Sequence, residues 1–259
     1  MKKTYVSIIS FLSIGAFLVM LFGFLWTIQN QLVKKETTVR EQTQVVEEPE
    51  KRNEGKIIVA LGDSLTRGTG DEEGKGYIGY LIEELEEKTD EKLTLHNYGV
   101  KGYRSEQLLS QVKGETIQNQ IKNADVILMT IGGNDLFQGG QTLVSPDKEA
   151  IALIKEQYLN NLKETMDIIK STNQDAIIYL VGLYNPFIDL DDAAMTTKVV
   201  RDWNYSTNQL LDQYSNSVFV PTFDLFQLKV NDYLFSDKFH PNSKGYRLIA
   251  ERAASLITW

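Results

Sequence analysis

The chain is predicted to fold as an α/β protein with a mostly parallel, doubly wound sheet. From residue 56 onward, short apolar runs alternate with longer segments of helical spacing, which implies right-handed βαβ crossovers. Several runs are apolar without alternation and end in Gly, as strands buried on both faces do where they deliver a loop. In such sheets ligands bind beyond the carboxyl ends of the strands, and the polar motifs of this chain fall there.

Taken in order, "KIIVALGDS" (56–64) predicts a buried first strand. "GYIGYLIEELEEK" (76–88) follows with Ile78, Leu81, Ile82 and Leu85 at helical spacing. "KLTLHNYGV" (92–100) predicts the second strand and "RSEQLLSQV" (104–112) another helix. "ADVILMTIGGND" (124–135) is a third strand ending in glycines, and residues 149–171 form a long amphipathic helix. "AIIYLVGLYNP" (176–186) predicts strand four, residues 192–214 a helix, and "SVFVPTFDL" (217–225) a short fifth strand. Residues 242–259 close the chain as a helix capped by Asn242 or Ser243. No repeat interrupts this order.

The first 55 residues stand apart. Lys2 and Lys3 precede residues 5–28, which are apolar apart from a few Ser and Thr, and no charge follows until Lys34. As a helix that run would be about 36 Å long, against a hydrocarbon core of about 30 Å. It lacks the small-residue exit of a cleaved signal, leaving through Phe24, Leu25 and Trp26. Residues 1–33 are therefore expected to be an uncleaved transmembrane anchor, with a cleaved signal and a secreted product as the alternative. The flanking lysines favour an N-terminus inside and a cell-membrane location with the folded domain outside, although Lys34 and Lys35 reduce the asymmetry. Residues 34–55 are charged and lack aromatics, a solvated tether. Residues 56–259 are expected to carry the folded domain.

Composition narrows the chemistry. The chain has 259 residues, 42% of them hydrophobic, enough for one substantial core. With 27 Lys and Arg against 35 Asp and Glu, the net charge of −8 argues against a nucleic-acid partner. The absence of cysteine excludes disulfides, thiolate zinc sites and a cysteine nucleophile. Two histidines, no HExxH and no EF-hand loop argue against a metal site. The acidic "DLDD" (189–192) suits a helix N-terminus better than calcium. "GTGDEEGKGY" (68–77) fits neither phosphate-binding glycine motif, and its three acids would repel phosphate.

Four polar clusters remain. Ser64 follows the first strand, where a turn would project its hydroxyl into the crevice, although a serine there more often caps a helix or makes a turn. "GDSLT" lacks the second glycine of the G-x-S-x-G elbow, so it is not the α/β-hydrolase signature. A serine nucleophile needs a base, and a histidine, with its ordinary pKa near 6.5, can be one. His240 has Asp237 three residues before it, placed to accept the Nδ1 proton and leave Nε2 facing Ser64; the bland alternative is a turn-capping aspartate. His96 has no nearby acid and is structural. Acyl transfer also needs oxyanion donors, for which the candidates are the Ser64 N–H, the Gly102 N–H and the Asn134 side-chain amide. Tight turns and an Asx-turn explain the glycines and Asn134 equally well at this level.

Together "ALGDSLTRG", "NYGVKGYRS", "IGGNDLF" and "SDKFHPNSKGY", in that order, resemble the SGNH, or GDSL, hydrolases. The resemblance spans about residues 56–259 and is nearest to the membrane-anchored bacterial lipase/acylhydrolase type. It implies a flavodoxin-like three-layer α/β/α sandwich with a five-stranded parallel sheet in the order 2-1-3-4-5, no metal and no cofactor. It also implies Ser64 as nucleophile, His240 as base and Asp237 as its acid partner. Ser64, Gly102 and Asn134 would form the oxyanion hole.

The expected activity is hydrolysis of carboxylic esters through an acyl-enzyme. The substrate is either an acyl lipid or an acylated glycan. Rivals are an O-acetylesterase or acyltransferase acting on cell-wall polysaccharide, and a non-catalytic binding module that keeps the fold. Leu65, Tyr103, Leu136, Phe137, Phe187 and Phe239 flank the motifs and would line an acyl groove, or else belong to the core.

Overall fold

A computed structural model describes residues 55–138, 148–189 and 193–258, together with Met20. Apart from Met20 and Gly55, the expected anchor and tether lie outside the described residues, as does "DLDD" beyond Asp189. Among the described residues no helix is long and apolar enough to cross a membrane.

Five parallel strands form one sheet: β1 (Lys56–Gly62), β2 (Leu93–Gly99), β3 (Val126–Thr130), β4 (Ile177–Val181) and β5 (Ser217–Val220). Their order is β2-β1-β3-β4-β5. Side chains alternate across the sheet, and both faces are covered. Val59, Leu61, Ile127, Met129, Ile178 and Leu180 face one core, whereas Ile58, Ala60, Val126, Leu128, Tyr179 and Val181 face the other.

The helices follow the sequence pattern closely where the apolar stripe is long. After the single turn α1 (Ser64–Arg67) comes α2 (Gly76–Glu86), then α3 (Ser105–Val112) and α4 (Glu115–Asn123). The turn α5 (Gly133–Phe137) precedes the long helices α6 (Lys148–Thr172) and α7 (Ala193–Leu211). Two further turns, α8 (Phe223–Phe226) and α9 (Val230–Tyr233), lead to α10 (Ser243–Ala254). In α7 the buried positions Thr196, Val200, Trp203, Thr207 and Leu210 recur every three or four residues. Helices α3, α4, α6 and α7 pack on one face of the sheet. Helices α2 and α10, with α8 and α9, pack on the other. That is a three-layer sandwich.

Five short elements, α1, α4, α5, α8 and α9, depart from the sequence expectation, α5 and α8 occupying the ends of the stretches expected as strands three and five. Helix α4 buries only Ile117 and Ile121, one turn apart, too little for a periodic stripe. At the C-terminus Asn242, rather than Ser243, is the cap, and its side chain accepts from the Gly245 N–H at 3.0 Å.

Register places the site. Gly62 pairs with Gly99 on one side and Thr130 on the other, Thr130 with Val181, and Val181 with Val220. All five strands therefore end at one level. The order reverses between β1 and β3, so the segments leaving these two strands diverge and open a crevice at the switch point.

Candidate active site

Ser64 is the first residue of α1, directly beyond β1, and Asp63 caps that turn by accepting from the Leu65 N–H at 3.0 Å. Gly62 makes the sharp exit possible. Its φ is +129°, and a Cβ there would stand 2.0 Å from the Thr130 carbonyl oxygen.

His240 reaches Ser64 from 176 residues away, with Nε2 2.9 Å from Oγ. Its Nδ1 lies 2.6 Å from Asp237 Oδ2. With the proton on Nδ1, that N–H donates to the carboxylate, and the serine hydroxyl donates to Nε2. Asp237 Oδ1 also accepts from the backbone N–H groups of Phe239 and His240, each at 3.0 Å. Burial pushes the Asp237 carboxyl up, but the His240 side chain and these backbone donors outweigh it and hold it below the ordinary value. A charged, oriented carboxylate is what a histidine base needs to retain the right tautomer.

Asn134 sits in α5 at the end of β3, and its amide donates to the Tyr103 carbonyl at 2.9 Å. That bond ties the turn after β3 to the loop after β2. A second tie is stronger: Asp135 accepts from the Ser105 N–H at 3.0 and 3.1 Å and from the Ser105 hydroxyl at 2.5 Å. Gly102 lies in the loop so held, exposed and left-handed at φ +85°. Ser64 and Asn134 line the cleft directly; Gly102 is not among the residues that line it.

The cleft is shallow and open to solvent. Its walls are mainly apolar. Leu65, Phe137 and Phe239 line it as expected, joined by Ile131, Val181, Leu183, Tyr184 and Pro186. Phe187 contributes indirectly, its ring edge-on to Phe137 at 5.2 Å and tilted on Phe239 at 6.1 Å. Leu136 belongs to the core instead, and Tyr103 packs partly buried against the same core. His96 is on the edge strand β2, opposite Val59.

Sequence reasoning passed over Asp63. Its side chain is 3% exposed and accepts from the Thr130 hydroxyl at 2.8 Å, while Thr130 and Thr66 bond each other at 2.8 Å. Burial pushes its carboxyl up to about 6, the bonds from Thr130 and Leu65 opposing and the charge of Asp135 adding. Its only sequence signal was its place before Ser64.

Residues 60–248 match the GDSL-like lipase/acylhydrolase family. The chain belongs to that family. It is also 37% identical over 216 residues to the Bacillus subtilis protein YpmR, covering 80% of this chain and 83% of that one. The spore germination lipase LipC of Bacillus licheniformis is 28% identical over 199 residues, 74% of this chain and 92% of the relative. Among solved structures, the lipase Lip_vut3 from a goat rumen metagenome superposes with a TM-score of 0.71 at 26% identity, covering 77% of this chain and 96% of its own. As a GDSL hydrolase, the protein is a carboxylic ester hydrolase.

Proposed function

We propose that this GDSL hydrolase cleaves acyl-lipid esters at the outer face of the membrane, through an acyl-enzyme on Ser64. The observation that carries the mechanism is the continuous chain of contacts from Ser64 Oγ to His240 to Asp237. Ser64 Oγ bonds to the ester carbonyl carbon while its proton passes to His240 Nε2. The Ser64 N–H, the Gly102 N–H and the Asn134 amide hold the oxyanion. The ester C–O bond then breaks, and the departing alkoxide takes the proton from His240. Water repeats the sequence, giving the free acid and restoring Ser64. Asp237 keeps the imidazole oriented and stays ionised throughout.

The lipid acyl group is favoured by the apolar wall of Leu65, Phe137, Leu183 and Phe239 beside the nucleophile. Both LipC and Lip_vut3 are lipases, which supports the same choice. The membrane location is supported by the 24-residue uncharged run at 5–28 and the lysines before it. In this arrangement residues 1–33 anchor the chain, 34–55 tether it, and the hydrolase domain of 56–259 works within reach of lipid.

A fluorophosphonate probe should label the wild type and leave Ser64→Ala unlabelled, with turnover of p-nitrophenyl esters lost in parallel by roughly 10³-fold or more. Equal labelling of both proteins would overturn the mechanism. Across C2 to C16 esters, kcat/KM should rise beyond C2; a sharp C2 optimum would point instead to a deacetylase of acylated glycans.

A further inference from the structure

The segment "GTGDEEGKGY" binds no phosphate by its sequence and takes no part in the ester chemistry, yet it lies between the two halves of the site. We propose that residues 68–76 are a clasp that fixes the separation of Ser64 and His240, with Asp71 as its positioning residue. The proposal rests on the reading of Ser64 and His240 as nucleophile and base.

The clasp grips the nucleophile turn first. The Thr69 N–H donates to the Ser64 carbonyl at 2.9 Å, and the Gly68 N–H to that of Leu65 at 3.1 Å. It then grips the helix behind the base: the Tyr246 hydroxyl donates to the Thr69 carbonyl at 2.6 Å. One peptide residue thus links the backbone of Ser64 to α10. Next, Gly70 lies flat against the histidine loop. Its φ is +94°, and a Cβ there would stand 2.9 Å from His240 Cβ and 2.7 Å from the Pro241 carbonyl oxygen.

Asp71 closes the clasp. Its carboxylate accepts from the Ser243 hydroxyl at 2.6 Å, three residues beyond His240, and from the Tyr80 hydroxyl at 3.1 Å. It also accepts from the backbone N–H groups of Glu73 at 3.1 Å and of Lys75 and Gly76 at 2.7 Å each. Burial pushes this carboxyl up, but the Ser243 hydroxyl and the backbone donors outweigh it and keep it below its ordinary value. Five donors therefore converge on one anion, joining the start of α2, the clasp and the first residue of α10.

The energetic reason is geometric. Ser64 and His240 come from segments 176 residues apart, and proton transfer needs Oγ and Nε2 held within hydrogen-bond reach. A displacement of about 1 Å at such a pair costs up to ~10²-fold in rate. A clasp that holds both segments sets kcat while leaving the cleft, and hence KM, untouched.

The test compares Asp71→Ala, Ser243→Ala and Ser243→Thr in the full chain, on a p-nitrophenyl ester. Circular dichroism verifies folding at the assay temperature, and low-field proton NMR follows the His240 Nδ1–H. Asp71→Ala should lower kcat by ~10- to 10²-fold with KM within about twofold of wild type. Ser243→Ala, which removes a single bond of the clasp, should lower kcat by roughly 3- to 10-fold. Ser243→Thr, which keeps the hydroxyl, should recover it. The Nδ1–H resonance should shift or broaden in both alanine variants. Folded alanine variants with wild-type kcat, or a loss in Ser243→Ala that Ser243→Thr does not recover, would overturn the clasp. Should Asp71→Ala not fold, the Ser243 pair decides. Failure of the ester mechanism looks different: Ser64→Ala would remain active. The clasp alone fails when Ser64→Ala is inactive and these variants are not.

Discussion

Asp63 shares a turn with Ser64, but the two side chains face different surroundings. The serine hydroxyl meets His240, whereas the Asp63 carboxylate accepts from the buried Thr130 hydroxyl and from the Leu65 N–H. With its pKa carried from 3.8 to about 6, Asp63 binds a proton more readily in the fold than in the unfolded chain. Stability therefore falls as pH rises between those two values, by about 3 kcal/mol in all. Asp63→Asn keeps the acceptor oxygen for Leu65 and Thr130 and does not ionise. Denaturation at pH 4 and pH 7 should show the variant gaining about 2.4 kcal/mol on the wild type between them. A difference independent of pH would mean that the carboxyl is charged throughout. Sequence could name Ser64, Asp237, His240, Gly102 and Asn134, because reaction chemistry restricts which residue types serve at strand ends. It was silent on Asp63 and Asp71, because an aspartate's task depends on which donors surround it, and those come from distant segments.

Strand β1 illustrates what an element adds. Its residues alternate between the two cores, and its last residue, Gly62, sits level with Gly99 and Thr130. Gly62→Ala would force a Cβ against the Thr130 carbonyl at a φ that side chains rarely adopt. The substitution should cost about 3 kcal/mol or more, lowering Tm, and should displace Ser64 so that fluorophosphonate labelling slows even in folded protein. Unchanged Tm and labelling would refute this account of the turn. Long elements were legible because each carries a full stripe: α6 buries Tyr158, Leu162, Met166 and Ile169, and α10 buries Tyr246, Ile249, Ala250 and Ala253. The turns α8 and α9 escaped because four residues complete barely one helical period, and their existence depends on capping and packing.

For the molecule as a whole, the sheet order concentrates the chemistry. Helices on both faces bury the central strands β1, β3 and β4, so the level carboxyl ends are where backbone and polar side chains can meet a substrate. Delivery to lipid is a separate matter, assigned to the anchor proposed for residues 1–33. Cells producing the full chain should carry the activity in the membrane fraction, resistant to high salt and released by detergent. Removal of residues 1–33 should transfer it to the soluble fraction with kcat/KM on a short ester within about twofold. Activity in the culture medium from the full chain would indicate a cleaved signal instead.

The sequence alone determined the α/β class, most element positions and the family, since hydrophobic period and motif order are properties of local strings. It also named the residue types for an acyl-enzyme. Tertiary structure decided which of them meet: it joined His240 to Ser64, left Gly102 out of the cleft lining and consigned Leu136 to the core. It also gave the unassigned "GTGDEEGKGY" its contacts with both halves of the site. The physical reason is that proton transfer and carboxylate pairing act over about 3 Å, a distance that only chain folding can set between residues far apart in sequence.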